Sequence, residues 1–199
     1  MHIFLQGPPG TGKSSLLREA ISPYISSAGG FFVQRLIEKG RNVGFQAILL
    51  KNQLSPLEVP YHPEMEHVFI LDGKWDIAVL EKIILCVEEQ MKTQGAKLIL
   101  LDEVGGIELR SQVFMSALER ILSSGTPCFG VLKSRENLGR TVANLNIRHE
   151  YTALHTQLET RIRADGEIIN FSEQNRAQTL RYVKDAAANR ISQIEEKRR

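Results

Sequence analysis

The chain has 199 residues, 42% of them hydrophobic, and its 25 basic and 23 acidic side chains leave a formal charge of +2. That length suits one core and a single domain spanning residues 1–199, while near-neutrality excludes a global electrostatic pull toward nucleic acid or a membrane surface. No apolar run nears the ~20 residues needed to cross a bilayer, and the N-terminus runs directly into a glycine loop that a cleaved leader would destroy, so a cytoplasmic protein is expected.

Residues 2–6 read as a short apolar strand, residues 7–13 as a Gly/Pro loop, and Ser14 to Ser22, with Leu16, Leu17, Ala20 and Ile21 at helical spacing, as a helix. Two β-rich runs, Phe31 to Ile37 and Asn42 to Leu50, surround Glu38-Lys39-Gly40-Arg41 and predict an inserted hairpin. Asn52 to Pro63 carries three prolines and predicts an irregular connection. Asp76 opens an amphipathic helix with Ile77, Leu80, Ile83, Ile84, Val87 and Met91 inward and Glu81, Glu88, Glu89 and Lys92 outward; Gly95 ends it. The cysteine of this helix, Cys86, and Cys128 further on both lie in apolar runs and are expected to pack as small hydrophobes.

Lys97 to Leu101 is aliphatic almost throughout, the pattern of a parallel strand covered on both faces. Ser111 is placed to cap a helix carrying Phe114, Ala117, Leu118, Ile121 and Leu122, and Pro127 to Leu132 returns as a buried strand. Lys133, Arg135 and Arg140 then sit among polar residues without a period, which predicts a basic, mobile loop and a candidate lid over a bound triphosphate. Leu158 to Arg163 and Glu167 to Phe171 flank Ala164-Asp165-Gly166, a turn composition that predicts a terminal hairpin. Ser172 caps a last helix that ends in the solvated run Glu195 to Arg199. The expected class is α/β, a mostly parallel central sheet flanked by helices, with inserted β-hairpins.

Gly7-Pro8-Pro9-Gly10-Thr11-Gly12-Lys13-Ser14 matches the P-loop pattern GxxxxGK[ST], the Walker A motif, between a strand and a helix. Glycines let successive backbone N–H groups turn inward around a phosphate, and the following helix adds its positive N-terminal end. Lys13 is expected to reach the β- and γ-phosphates, and the Ser14 hydroxyl to ligate magnesium. Such a site also needs an acid at the carboxyl end of a neighbouring strand. Leu98 to Leu101 ends in Asp102-Glu103, a Walker B arrangement: Asp102 is the expected magnesium partner and Glu103 the candidate for polarising the attacking water. Glu108, in the following turn, competes for that second role.

With both motifs in hand, the sequence resembles the small family of cancer-related nucleoside-triphosphatases. Gly7 to Ser15 looks like its GPPGxGKTT, and Gly30-Phe31-Phe32 with Gly40 to Phe45 resembles its GFYT and GGRRIGF segments. Leu101 to Leu109 is similar to its IDEIGKMEL, with Phe114 in the expected place; Gly130 stands as in its LGT segment, and Asn175-Arg176 resembles its late NR pair. The resemblance implies a RecA-like P-loop NTPase fold and slow hydrolysis of several nucleoside triphosphates, ATP and GTP among them, with magnesium and no known transfer acceptor. It also implies that Ser15 belongs to the cradle and that Arg176 approaches base or phosphates. The family's Glu-Glu-Val-Arg stretch is replaced by Gln34-Arg35-Leu36-Ile37, and the Lys of its IGKME by Gly106. A nucleoside or nucleotide kinase, for which Arg35, Arg135 and Arg140 are the candidate acceptor-binding arginines, and a nucleotide-responsive binding module without turnover remain the alternatives.

Overall fold

The structure, a computed structural model, describes residues 1–141 and 148–196. Nine strands are formed among them: β1 (His2–Gln6), β2 (Ala28–Glu38), β3 (Arg41–Leu49), β4 (Glu58–Pro60), β5 (Val68–Leu71), β6 (Lys74–Trp75), β7 (Leu98–Val104), β8 (Cys128–Leu132) and β9 (Gly166–Asn170). The helices are α1 (Lys13–Ile21), α2 (Ile77–Thr93), α3 (Gln112–Ser123), α4 (Arg135–Thr141), α5 (Arg148–Asp165) and α6 (Arg176–Glu196). No helix among the described residues is long and apolar enough to cross a membrane.

The strands join in one sheet of order β6-β5-β3-β2-β7-β8-β1-β9, with β4 paired to β2. From β2 to β9 every neighbour is parallel; β3, β5 and β6 extend the sheet antiparallel. The aliphatic run of β7 has its cause in this position. Leu98 and Leu100 point into a core layer shared with Leu16, Leu17 and Ala20 of α1 and Val183 and Ala187 of α6. Ile99 and Leu101 point the other way, among residues of α2, α3 and α5. Each such side chain, buried from water on both sides of the sheet, contributes roughly 2 kcal/mol. The side chain of Asp76 accepts from the Ala78 amide at 3.1 Å and caps α2, while Ser111 Oγ accepts from the Phe114 amide at 3.0 Å and caps α3, as its position predicted.

Four expectations need correction. The terminal hairpin is absent: Leu158 to Arg163 belongs to α5, whose Tyr151, His155, Leu158 and Ile162 form a buried helical face. β9 pairs in parallel with β1 instead, and Gly166 is required not for a turn but because a Cβ there would stand 2.4 Å from the His2 carbonyl oxygen. The basic loop begins as a helix, α4, and only residues 142–147 and 197–199 of the segments read from sequence lie outside the described residues. Glu88 faces inward, not outward, where Arg120 of α3 binds both its oxygens at 2.8 Å. Cys128 is buried, and burial pushes its thiol up to about 12, but Cys86 is exposed on the outer face of α2. Within the irregular connection, β4 adds a short parallel pairing to Arg35–Ile37 of β2.

Candidate nucleotide site

The carboxyl ends of β1, β8 and β7 lie side by side, and β8 separates the strand that leads into the glycine loop from the strand that ends in the acidic pair. Gly12 caps α1 with φ 86°, a left-handed conformation that suits glycine. Pro8 and Pro9 have no N–H to offer a phosphate, so their part in the loop is to fix its path, and the amides come from Gly10 to Ser15. Pro8, Pro9, Gly10 and Ser15 are exposed at the mouth of the loop. Thr11 Oγ1 donates to the Pro8 carbonyl at 2.9 Å. Lys13 folds back over the loop, donating to the carbonyls of Gly7 at 3.0 Å and Pro8 at 2.6 Å. Burial lowers its pKa, opposed by the nearby charges of Glu103 and Asp102.

The loop and the acidic strand meet directly. Ser14 Oγ donates to Asp102 Oδ1 at 2.9 Å, across 88 positions of sequence. Asp102 is 2% exposed, and its Oδ2 is buried without a hydrogen-bond partner. Burial raises its pKa to about 7 against the pull of the Ser14 hydroxyl. A buried acceptor of this kind calls for a cation, water or proton. Beside it, a carboxylate and a hydroxyl are the hard oxygen donors that magnesium favours, so the residues present fit that ion.

Glu103 stands where the pairing of β7 with β8 skips one residue: Asp102 lies opposite Val131 and Val104 opposite Leu132. Its Oε1 lies 3.3 Å from Lys133 Nζ, at the end of β8. Glu108, its rival in the sequence, is committed elsewhere. It is buried and accepts from the amides of Gly105 at 2.6 Å and Gly106 at 2.8 Å, closing the turn after β7. Arg176 opens α6 beside the loop, with Nη1 3.3 Å from where a Cβ on Gly12 would stand, and Nη2 3.4 Å from Glu19.

Of the three basic residues read as a lid, Arg135 binds Glu159 and Arg140 binds Glu136; only Lys133 turns toward the acidic pair. Its backbone is held in turn, since its carbonyl accepts from His155 at 2.7 Å. Glu159 also accepts from Gln6, the last residue of β1, at 3.1 Å. Sequence reading missed the pairing of Lys133 with Glu103 because Glu103, and the His155 that holds the Lys133 carbonyl, both lie more than 20 positions away. It also missed Arg18, buried in α1 with its guanidinium 4.7 Å from the Phe32 ring centroid, a cation that lowers the pKa of Asp102. A charge on the inward stripe of a helix was the available signal for it.

The profile of the family described as NTPase matches residues 2–183, most of the chain. The chain belongs to the NTPase family. It is 29% identical to the cancer-related nucleoside-triphosphatase of Homo sapiens over 190 residues, covering 90% of this chain and 92% of that protein. It is 30% identical to nucleoside-triphosphatase THEP1 of Thermotoga sp. (strain RQ2) over 139 residues, 67% of this chain and 74% of that one. Among solved structures, the solution structure of a human cancer-related nucleoside triphosphatase aligns with a TM-score of 0.58 at 22% identity, covering 93% of this chain and 96% of that chain. The crystal structure of THEP1 from Aquifex aeolicus aligns with a TM-score of 0.57 at 19% identity, covering 92% and 96%. The fold of this NTPase-family chain is thus the α/β P-loop NTPase fold that the resemblance implied.

Proposed function

We propose that the chain binds a magnesium nucleoside triphosphate in the cradle Gly7 to Ser15 and hydrolyses its γ-phosphate by water. The observation that carries this reading is the contact between Ser14 and Asp102, which joins loop and acidic strand and leaves one buried carboxylate oxygen without a partner. Bound there, magnesium supplies positive charge to the phosphate oxygens. Ser14 and Asp102 are the residues that hold it. Loop amides and the N-terminus of α1 bind the phosphates, and Lys13 exchanges the Gly7 and Pro8 carbonyls for phosphate oxygens. Glu103 orients the water and accepts its proton, and Lys133 keeps that carboxylate in place. Arg176, beside Gly12, steadies the nucleotide from α6.

Phosphate release from ATP, GTP and CTP, compared with Lys13→Ala and Glu103→Gln, tests the assignment. Lys13→Ala is expected to lose both affinity and turnover. Glu103→Gln is expected to keep nucleotide binding while turnover falls about 100-fold, the size of a general-base contribution. Unchanged release in both variants would overturn it.

A further inference from the structure

Beside Glu103, on the α2 face of the sheet, lies a cleft of about 70 Å³. Its walls include Val33, Ile107 and the rings of Phe45 and Phe69, whose centroids stand 6.4 Å apart. Glu103 and Lys133 close its polar end, whereas no residue of the loop Gly7 to Ser15 and no arginine lines it. The cleft is therefore separate from the phosphate cradle yet opens on the carboxylate assigned to the nucleophile. Apolar walls with a few convergent polar groups are the usual form of a small-molecule site.

Charge decides which molecule fits. Glu108 also borders the cleft, and the lysine there is already paired with Glu103. The arginines that a phosphorylated acceptor would need are bound elsewhere: Arg35 to Glu58, Arg135 to Glu159 and Arg140 to Glu136. An anionic acceptor would meet two carboxylates and one paired lysine, so the cleft selects against nucleotides.

We infer that the cleft is a second-substrate subsite for a small uncharged alcohol, its short alkyl group against Phe45 and Phe69 and its hydroxyl at Glu103; at about 70 Å³ it is too small for a ring. The chain then transfers the γ-phosphoryl group to that alcohol in competition with water, an inference that rests on the nucleotide site proposed above. The alcohol O–H bond breaks and its proton passes to the Glu103 carboxylate. The oxygen forms a bond to the γ-phosphorus as the bond from that phosphorus to the β–γ bridging oxygen breaks, its electron pair leaving on the nucleoside diphosphate. The products are a phosphate monoester and the diphosphate, and Glu103 returns its proton to solvent.

The test uses the full chain with magnesium and ATP, adding ethanol, 1-propanol or isobutanol, with AMP as the charged control. Diphosphate and free phosphate are measured separately. With at least one alcohol, diphosphate is expected to exceed free phosphate, the difference appearing as the alkyl phosphate by phosphorus NMR, while AMP yields none. Saturation-transfer NMR without nucleotide or metal is expected to show 1-propanol bound. Val33→Phe, which fills the cleft, is expected to abolish binding and transfer but keep basal phosphate release; Phe45→Ala, which widens it, to favour the bulkier alcohol. Equal diphosphate and free phosphate with all three alcohols, or transfer undiminished in Val33→Phe, overturns the inference. No free phosphate even without alcohol overturns the nucleotide-site reading, and this inference with it.

Discussion

The phosphate cradle and the acidic corner face each other across the end of β8, and they are built on different principles. The cradle is backbone: the loop residues and the first turn of α1 lie within nine consecutive positions, Gly7 to Ser15, and its shape follows from glycine conformations and helix polarity. The corner is side chain: Glu103 comes from β7, Lys133 from the end of β8, and the groups that hold Lys133 in place come from α5. A backbone site is rigid but tolerates few substitutions at its glycines. A side-chain site is tolerant position by position and can be rebuilt from other segments.

The sharpest way to break that comparison is at Gly12. A valine there must adopt φ 86° with a β-branched side chain, and its Cβ would meet Arg176 Nη1 at 3.3 Å. The strain is about 1–2 kcal/mol of folding free energy, which thermal unfolding reads as a small drop. Turnover is expected to fall at least about 100-fold, because the amides lose their aim on the phosphates, an interaction of the oxyanion-hole kind. Turnover within about twofold of wild type would mean that the cradle is not set by its backbone.

The same difference explains what could be read in advance. GxxxxGK[ST], the aliphatic β7 and the cap Ser111 are local patterns, and each stands where its physics puts it. The Asp102 contact with Ser14 was legible because two local motifs imply each other. The partner of Glu103 was not, since nothing near Lys133 in sequence announces that it faces Glu103 while Arg135 and Arg140 turn to carboxylates of their own. The failed hairpin has a similar cause: Ala164-Asp165-Gly166 has the composition of a turn, and only the close approach of β1 to Gly166 shows what the glycine is for.

The scaffold beneath the corner offers an acid-sensitive test. Arg120 and Lys92 hold the Glu88 carboxylate down at about 2, well below the usual 4.5, and so tie α2 to α3. A carboxylate depressed on folding stabilises fully above its unfolded pKa and loses that stabilisation as pH falls through its folded pKa. The contribution of Glu88 is therefore complete above about pH 4.5 and fades toward pH 2. Glu88→Gln is expected to be less stable than the parent by about 2 kcal/mol at pH 6, with the gap closing toward pH 2 in denaturant titrations. A gap independent of pH would assign the loss to packing instead.

The smallest effect bears most directly on how the corner is built. Removing Lys133 takes away the cation beside Glu103, and Lys133→Ala is expected to lower kcat about tenfold, or ~1.4 kcal/mol, with KM for the nucleotide little changed. The family pattern places a lysine where this chain has Gly106, and a Cβ at that position would stand 3.4 Å from Lys133 Nζ. The two positions thus reach the same corner, one from the turn after β7 and the other from the end of β8. Gly106→Lys in the Lys133→Ala background is expected to restore part of kcat, measured as steady-state phosphate release. Full activity in Lys133→Ala alone would show that Glu103 needs no cation to hold it; loss without rescue would show that the direction from which the cation arrives matters as much as its charge.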